Sequence, residues 1–324
     1  MTGAFGMTGK PYQIWFDGEF VSWEDAQVHV LTHTLHYGVA AFEGIRAYRC
    51  TGERSAVFRL PEHVDRLYAS AHIARMDIPF SKEETHNAIV ELLNVNYLEE
   101  AYIRPIAYIG GGKIGLHPGD NPIHLAIAAY PWGTYLGEGA LSKGISAKVS
   151  SYTRMGVNSF MTKAKLSGNY VNSVLAKVEA TSYGSDEAIL LDSEGYVAEG
   201  SGENIFIVRN GKLKTPPLTS ILEGITRDSV MKIAQDEGIE VEAERFTRDE
   251  LYIADEAFFT GTAAEITPIR EVDKRTIGKG KPGPITKRLQ SRFFDIVEGK
   301  DPKFIDWLEF FSAAPPLNIK SESK

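Results

Sequence analysis

His124-Leu125-Ala126-Ile127-Ala128-Ala129-Tyr130 is a nearly unbroken apolar run, and Pro131-Trp132-Gly133-Thr134-Tyr135-Leu136-Gly137-Glu138-Gly139 follows it directly. A short apolar run bounded by Pro and Gly reads as a buried, central strand. The glycine-rich aromatic stretch after it suits neither strand nor helix and reads as a linker. The chain is thereby expected to divide into a small N-terminal domain over 1–131, a linker over 132–139 and a larger C-terminal domain over 140–324. Its 324 residues are enough for two cores.

Toward the start of the chain, Gln13-Ile14-Trp15-Phe16, Asp17-Gly18 and Glu19-Phe20-Val21 have the form of a β-hairpin with a tight Asp-Gly turn. A strand is expected over 42–48 and another over 101–109. Residues 61–76 carry Val64, Leu67, Ala71 and Ile73 at helical spacing, with Pro61 suited to a first turn. Ser81 and Glu84 form a capping box that opens a second helix. Beyond the linker, strands are expected over 145–150, 187–192, 204–209 and 256–260. Helices are expected over 170–181, 226–237 and 285–296, the middle one stopped by Gly238. Strands and helices mixed in this way give an α/β (α+β) fold in two domains.

Composition excludes several classes. Hydrophobic residues make up 43% and charged residues 24%, an ordinary globular balance. A net charge of −8 with no basic stripe speaks against nucleic acid as a partner. No apolar run reaches membrane-spanning length. The single cysteine, Cys50, allows no internal disulfide, which fits a reducing, cytoplasmic location. Residues 1–9 lack the pattern of a signal peptide and read as a loose leader, with Met1 or Met7 as the native start. Residues 313–324 are expected to fray.

Several segments could carry chemistry. Lys163 and Lys165 lie just before the helix over 170–181. They read either as two solvated lysines or as a nucleophile, which a lysine becomes where burial or a nearby cation favours its neutral amine. Glu199-Gly200-Ser201-Gly202-Glu203-Asn204 is either a charged turn or a place where a backbone meets a ligand closely, with a carboxylate beside it. Gly224-Ile225-Thr226 opens a helix, as a simple cap or as an anion site. Gly261-Thr262-Ala263-Ala264 is a small-residue turn at a strand end. Arg66 is either a helix surface charge or an anion ligand, and Arg104 in an apolar strand calls for an anionic partner. Gly110-Gly111-Gly112-Lys113 is not a Walker loop, since Ile114 stands where Ser or Thr is required. His33 and His36 lack a third ligand at metal-site spacing.

Taken together, the segments 37–48 (Tyr37-Gly38-Val39-Ala40-Ala41-Phe42-Glu43-Gly44-Ile45-Arg46-Ala47-Tyr48), Tyr102-Ile103-Arg104-Pro105, Lys165-Leu166-Ser167-Gly168-Asn169-Tyr170, Glu199-Gly200-Ser201-Gly202-Glu203-Asn204 and Gly261-Thr262-Ala263-Ala264-Glu265 resemble the fold-type IV (class IV) aminotransferases, which use pyridoxal 5'-phosphate (PLP). The chain is most similar to the bacterial branched-chain members, from about Gln13 to Glu298. Each motif is weak alone; five in the family's order are strong.

The resemblance implies roles by position. Lys165 would hold PLP covalently and act as the catalytic base and acid, with Lys163 at the wrong spacing to compete. Glu199 would pair with the pyridine nitrogen and Tyr170 with the phenolic oxygen. Arg66, the Ile225 and Thr226 amides and Thr262 would hold the phosphate, as a cation and a helix N-terminus suit a dianion. Tyr37, Phe42, Gly44, Trp132 and Tyr135 would line an apolar side-chain pocket. The Thr262 and Ala263 amides, with Tyr102, would face the substrate α-carboxylate, and Arg104 the second carboxylate of glutamate or 2-oxoglutarate. Leu116 would reach into a neighbouring subunit's site, since the family forms homodimers or assemblies of dimers. The implied reaction is ping-pong transfer of the amino group of L-leucine, L-isoleucine or L-valine to 2-oxoglutarate. Rival readings within the fold are a D-amino acid aminotransferase, an (R)-amine transaminase and an aminodeoxychorismate lyase. A non-catalytic PLP-binding homologue is a rival of another class.

Overall fold

The computed structural model describes residues 12–52, 54–133, 136–137 and 139–312. The expected leader and frayed end lie outside the described residues.

The first hairpin forms as the sequence predicts: strands Gln13–Phe16 and Glu19–Ser22 join through Asp17 and Gly18, both with positive φ (48° and 98°). Two left-handed residues in a two-residue turn match the twist of the flanking strands. The hairpin borders an antiparallel sheet whose order runs Leu308–Phe311, Arg54–Phe58, Ile45–Cys50, Ala101–Ile109, Ile123–Tyr130, Gln13–Phe16, Glu19–Ser22, with Ala40–Phe42 also paired to Ala101–Ile109. The run around Tyr130 is thus an interior strand. One of its edges comes from the far end of the chain: Leu308–Phe311 pairs with Arg54–Phe58.

Helices Leu60–Ile73 and Lys82–Val95 close one face of this sheet. Val64, Leu67 and Ala71 of the first, and Ile89, Leu92 and Leu93 of the second, pack with Ile103, Leu125 and Ile127 of the sheet. The capping box is present: Ser81 Oγ accepts from the Glu84 N–H (3.1 Å), and Glu84 Oε2 accepts from the Ser81 N–H (2.7 Å). The first helix stops short of Met76, because Arg75 turns into the left-handed region (φ 58°).

The second sheet has nine strands, ordered Val197–Gly200, Glu187–Leu191, Ile145–Thr153, Glu265–Val272, Glu256–Gly261, Asn204–Arg209, Lys212–Thr215, Val241–Ala243, with Arg275–Thr276 beside Glu265–Val272. It is mixed: Ile145–Thr153 runs parallel to both of its neighbours. Helices Ile225–Asp236 and Pro284–Val297 bury Val230, Ile233, Leu289 and Phe293 against Phe206 and Phe258. Tyr48, Ala56 and Phe58 of the first sheet join the same core, so the two sheets meet across it.

One expected element is broken. The strand expected over 42–48 is two strands, Ala40–Phe42 and Ile45–Cys50, separated at Glu43-Gly44. A Cβ at Gly44 would collide with the Tyr102 hydroxyl, and Glu43 turns its carboxylate inward, where it is wholly buried. The break falls at the junction of the sheets, where the candidate residues gather.

Candidate active site

The backbone of Lys165 is pinned by the N-terminal half of the chain. Its N–H donates to Ser70 Oγ (3.0 Å), and its carbonyl accepts from the Phe42 N–H (3.1 Å). Close by, the Gly168 N–H donates to the Gly38 carbonyl (2.9 Å). A Cβ on either glycine would come within 3.2 Å of the other's backbone, so both must stay bare. Asn169 Nδ2 donates to the Met161 and Ala164 carbonyls (3.3 and 3.1 Å) and closes the loop. The Lys165 ammonium then donates to the Tyr170 hydroxyl at 2.6 Å. Lys163 is directed elsewhere: it pairs with Glu223 (3.1 Å) and the Leu218 carbonyl.

Glu199 lies on edge strand Val197–Gly200 and is buried. Arg154 Nε stands 2.5 Å from Glu199 Oε1, while Oε2 accepts from Asn204 Nδ2 (3.2 Å) and the Leu222 N–H (3.3 Å). Burial pushes the Glu199 carboxyl upward, against the pull of Arg154. The neighbouring Glu203 accepts from the Gly202 N–H (3.1 Å). Burial, with Glu187 close by, pushes its carboxyl upward, against the pull of Lys177.

At the other end, helix Ile225–Asp236 begins at Gly224, and no side chain caps it. Ile225, Thr226 and Arg66 line the pocket there. The turn 262–264 closes a third side, as a three-residue hairpin loop before Glu265, whose φ is +52°. Arg46 Nη1 pairs with Glu265 (3.2 Å) and ties this turn to the first sheet.

The remaining wall is aromatic. Tyr102 and Trp132 stack at 4.9 Å, and Phe42 and Gly44 adjoin them. The Arg104 guanidinium lies 4.9 Å from the Phe42 ring centre and 5.0 Å from that of Tyr102. Its Nη2 donates to the Tyr102 hydroxyl (3.3 Å). Burial pushes that hydroxyl up to about 12, so it stays protonated at neutral pH. Arg104 makes no ion pair among the described residues.

The fold therefore brings into one pocket Lys165, Tyr170, Glu199, Arg66, Ile225, Thr226, Thr262, Ala263, Phe42, Gly44, Tyr102, Arg104 and Trp132. Tyr37 is not among the lining residues; it packs on His33 (4.6 Å) and is half-exposed. Leu116 also lies outside the lining and is 88% exposed. Tyr135 lies outside the described residues. Three residues are not expected from the sequence: Arg154, which lines the pocket, and Glu43 and His63, which stand behind Arg66. Glu43 had a legible signal, a lone carboxylate inside the apolar run 39–45. Arg154 had none, because its partner comes from a distant strand.

Two features ask for an anionic, hydrogen-bonding ligand. The start of helix Ile225–Asp236 has amides with no side-chain cap, and Thr260 Oγ1 is buried on the pocket wall with no partner among the described residues.

The chain is similar to several known proteins. The family Amino-transferase class IV matches residues 40–272. A branched-chain-amino-acid aminotransferase of Pseudomonas aeruginosa is 54% identical over 301 residues, covering 93% of this chain and 98% of that one. A crystal structure of a T.th. branched-chain amino acid aminotransferase with pyridoxamine 5'-phosphate superposes with a TM-score of 0.89 at 51% identity, covering 93% and 98% of the two chains. The same enzyme complexed with N-(5'-phosphopyridoxyl)-L-glutamate gives a TM-score of 0.89 at 49% identity, with the same coverage.

Proposed function

The chain belongs to the class IV aminotransferases, and from that premise we propose that it is a PLP-dependent branched-chain amino acid aminotransferase. L-leucine, L-isoleucine and L-valine are its amino donors and 2-oxoglutarate is the acceptor. The observation that carries the reading is Lys165 Nζ at 2.6 Å from the Tyr170 hydroxyl, in one pocket with the buried Glu199. Release of glutamate from L-leucine and 2-oxoglutarate tests it. Turnover of D-leucine or of a primary amine in place of L-leucine would instead support the rival transaminases.

PLP supplies an electron sink for the charge left at the substrate α-carbon when its proton departs. Lys165 is the residue that holds it, and its amine takes that proton and returns one, as general base and acid. The Tyr170 hydroxyl orients the amine. Glu199, set by Arg154, Asn204 and Leu222, would hold a proton on the pyridine nitrogen. Arg66, the amides at the start of helix Ile225–Asp236 and Thr262 would bind the phosphate. The uncapped amides and the unpartnered Thr260 hydroxyl fit such a group.

The aromatic wall excludes water and accepts an aliphatic side chain, while Arg104 meets the second carboxylate of glutamate. Arg104→Ala should therefore slow the half-reaction with L-glutamate roughly 10- to 150-fold, the cost of a lost charged hydrogen bond. L-leucine brings no second charge and should be slowed only a few-fold. Single-turnover rates with each amino acid measure the difference. Equal losses would make Arg104 a general structural residue of the site.

The assembly is read as a homodimer. Val171, Val174 and Val178 form an exposed apolar stripe on helix Tyr170–Ser182, and Val157, Phe160 and Met161 are exposed on the preceding loop. A second copy would cover this stripe, and Leu116 would enter its pocket. Sedimentation should give at least a dimer for the native chain and a smaller species for Val174→Lys. A native monomer would contradict this reading.

A further inference from the structure

Glu43 sits in the break between Ala40–Phe42 and Ile45–Cys50, 0% exposed. A carboxylate wholly removed from water is costly unless it is paired and hydrogen-bonded. Four donors converge on this one. Oε1 accepts from Arg66 Nε (2.6 Å). Oε2 accepts from Arg66 Nη2 (2.9 Å), His63 Nδ1 (2.8 Å) and the Gly44 N–H (3.2 Å). Burial alone would raise this carboxyl, but Arg66 and His63 outweigh it and hold the group well below the usual carboxylate range. His63 is itself buried, and burial presses it toward the neutral imidazole. Arg66 is the cation that meets both carboxylate oxygens.

The pair is side-on and bidentate, the geometry that fixes a guanidinium plane most firmly. Arg66 Nη1 donates in addition to the Glu223 carbonyl (2.6 Å), one residue before the Gly224 that opens helix Ile225–Asp236. A guanidinium carries five N–H groups. Three are committed to Glu43 and Glu223, which among the described residues leaves two without a partner, and Arg66 lines the pocket.

We propose that Glu43 is a positioning residue for the cofactor's phosphate: it locks the Arg66 guanidinium so that its two uncommitted N–H groups face the phosphate seat at the start of helix Ile225–Asp236. The proposal rests on Arg66 being a phosphate ligand, as read above. It has an uncommon sign. Glu43 cancels the charge of Arg66, so a purely electrostatic Arg66 would bind phosphate better without it. Locking predicts the reverse, because an unbraced guanidinium must be ordered each time phosphate binds.

The test compares PLP with pyridoxal, which lacks the phosphate, on the apo-protein, with dissociation constants read from quenching of intrinsic tryptophan fluorescence. Glu43→Gln should weaken PLP about 10- to 150-fold, the range of a lost charged hydrogen bond, and pyridoxal less than about threefold. Arg66→Ala should show the same selectivity, and adding Glu43→Gln to it should change PLP binding less than about threefold further. If Arg66→Ala weakens PLP and pyridoxal alike, the phosphate reading of Arg66 falls. If Arg66→Ala is selective but Glu43→Gln leaves PLP unchanged or tighter, or weakens both ligands equally, the positioning role of Glu43 is overturned. Should Glu43→Gln fail to fold, Glu43→Asp keeps the charge with a shorter reach. Selective weakening of PLP is then expected, and native PLP affinity would overturn the proposal.

Discussion

Lys165→Ala should reduce single-turnover transamination of L-leucine by on the order of 10⁴-fold or more, because Lys165 is proposed to be both the covalent anchor and the proton carrier. The loss should be chemical and not structural. The backbone at 165 is held by Ser70 Oγ and the Phe42 N–H, neither of which needs the lysine side chain. Thermal unfolding of the apo-protein should therefore shift little, and PLP should still bind through its phosphate. Lys163→Ala is the matched control. Its ammonium pairs with Glu223 and the Leu218 carbonyl on the partly exposed rim, so its removal should leave the rate within a few-fold of native. A large loss in Lys163→Ala with activity surviving in Lys165→Ala would reverse the assignment.

Glu199→Gln should keep bound PLP and lower turnover by roughly 10²- to 10³-fold, the range seen when one preorganised electrostatic group is removed from a site. The native carboxylate is ion-paired with Arg154 at one oxygen and accepts from Asn204 and Leu222 at the other, and it can still accept a proton-bearing nitrogen from the pocket. An amide in that place offers two donors where all its neighbours are donors, and it carries no charge to hold the pyridine proton. Glu203 is the nearest competitor for the role. Burial and the neighbouring Glu187 push its carboxyl upward, which disfavours the charged form that a pyridine proton would need. Glu203→Gln should accordingly keep turnover within a few-fold of native at neutral pH. Stopped-flow absorbance with L-leucine compares the two variants. Near-normal turnover in Glu199→Gln would pass the role to Glu203 or to no carboxylate.

What the sequence revealed and what it hid follow one physical division. Local chemistry was legible: strands Ala101–Ile109 and Asn204–Arg209, the Asp17-Gly18 turn and the Ser81–Glu84 box all depend on neighbours within a few residues. Strands Val197–Gly200, Lys212–Thr215 and Val241–Ala243 were not expected, because each is short and the last two are partly charged; pairing, not composition, makes them strands. Glu265–Val272 was hidden by Pro268, which argues against an interior strand although it pairs there with Phe258. The break at Glu43-Gly44 could not be foreseen from an apolar run, since it is set by Tyr102, His63 and Arg66 from other elements. The same holds for Arg154 and Glu199, which are 45 positions apart and meet only in the folded sheet. The five motifs pointed to the pocket because their spacing is local, while the residues that brace them are distant in sequence.

If Lys165 holds the cofactor, borohydride reduction of the PLP-loaded enzyme, followed by proteolysis and mass spectrometry of the peptides, should find a phosphopyridoxyl group on Lys165, with Lys163 unmodified. A label on Lys163, or on a lysine outside the pocket, would overturn the assignment.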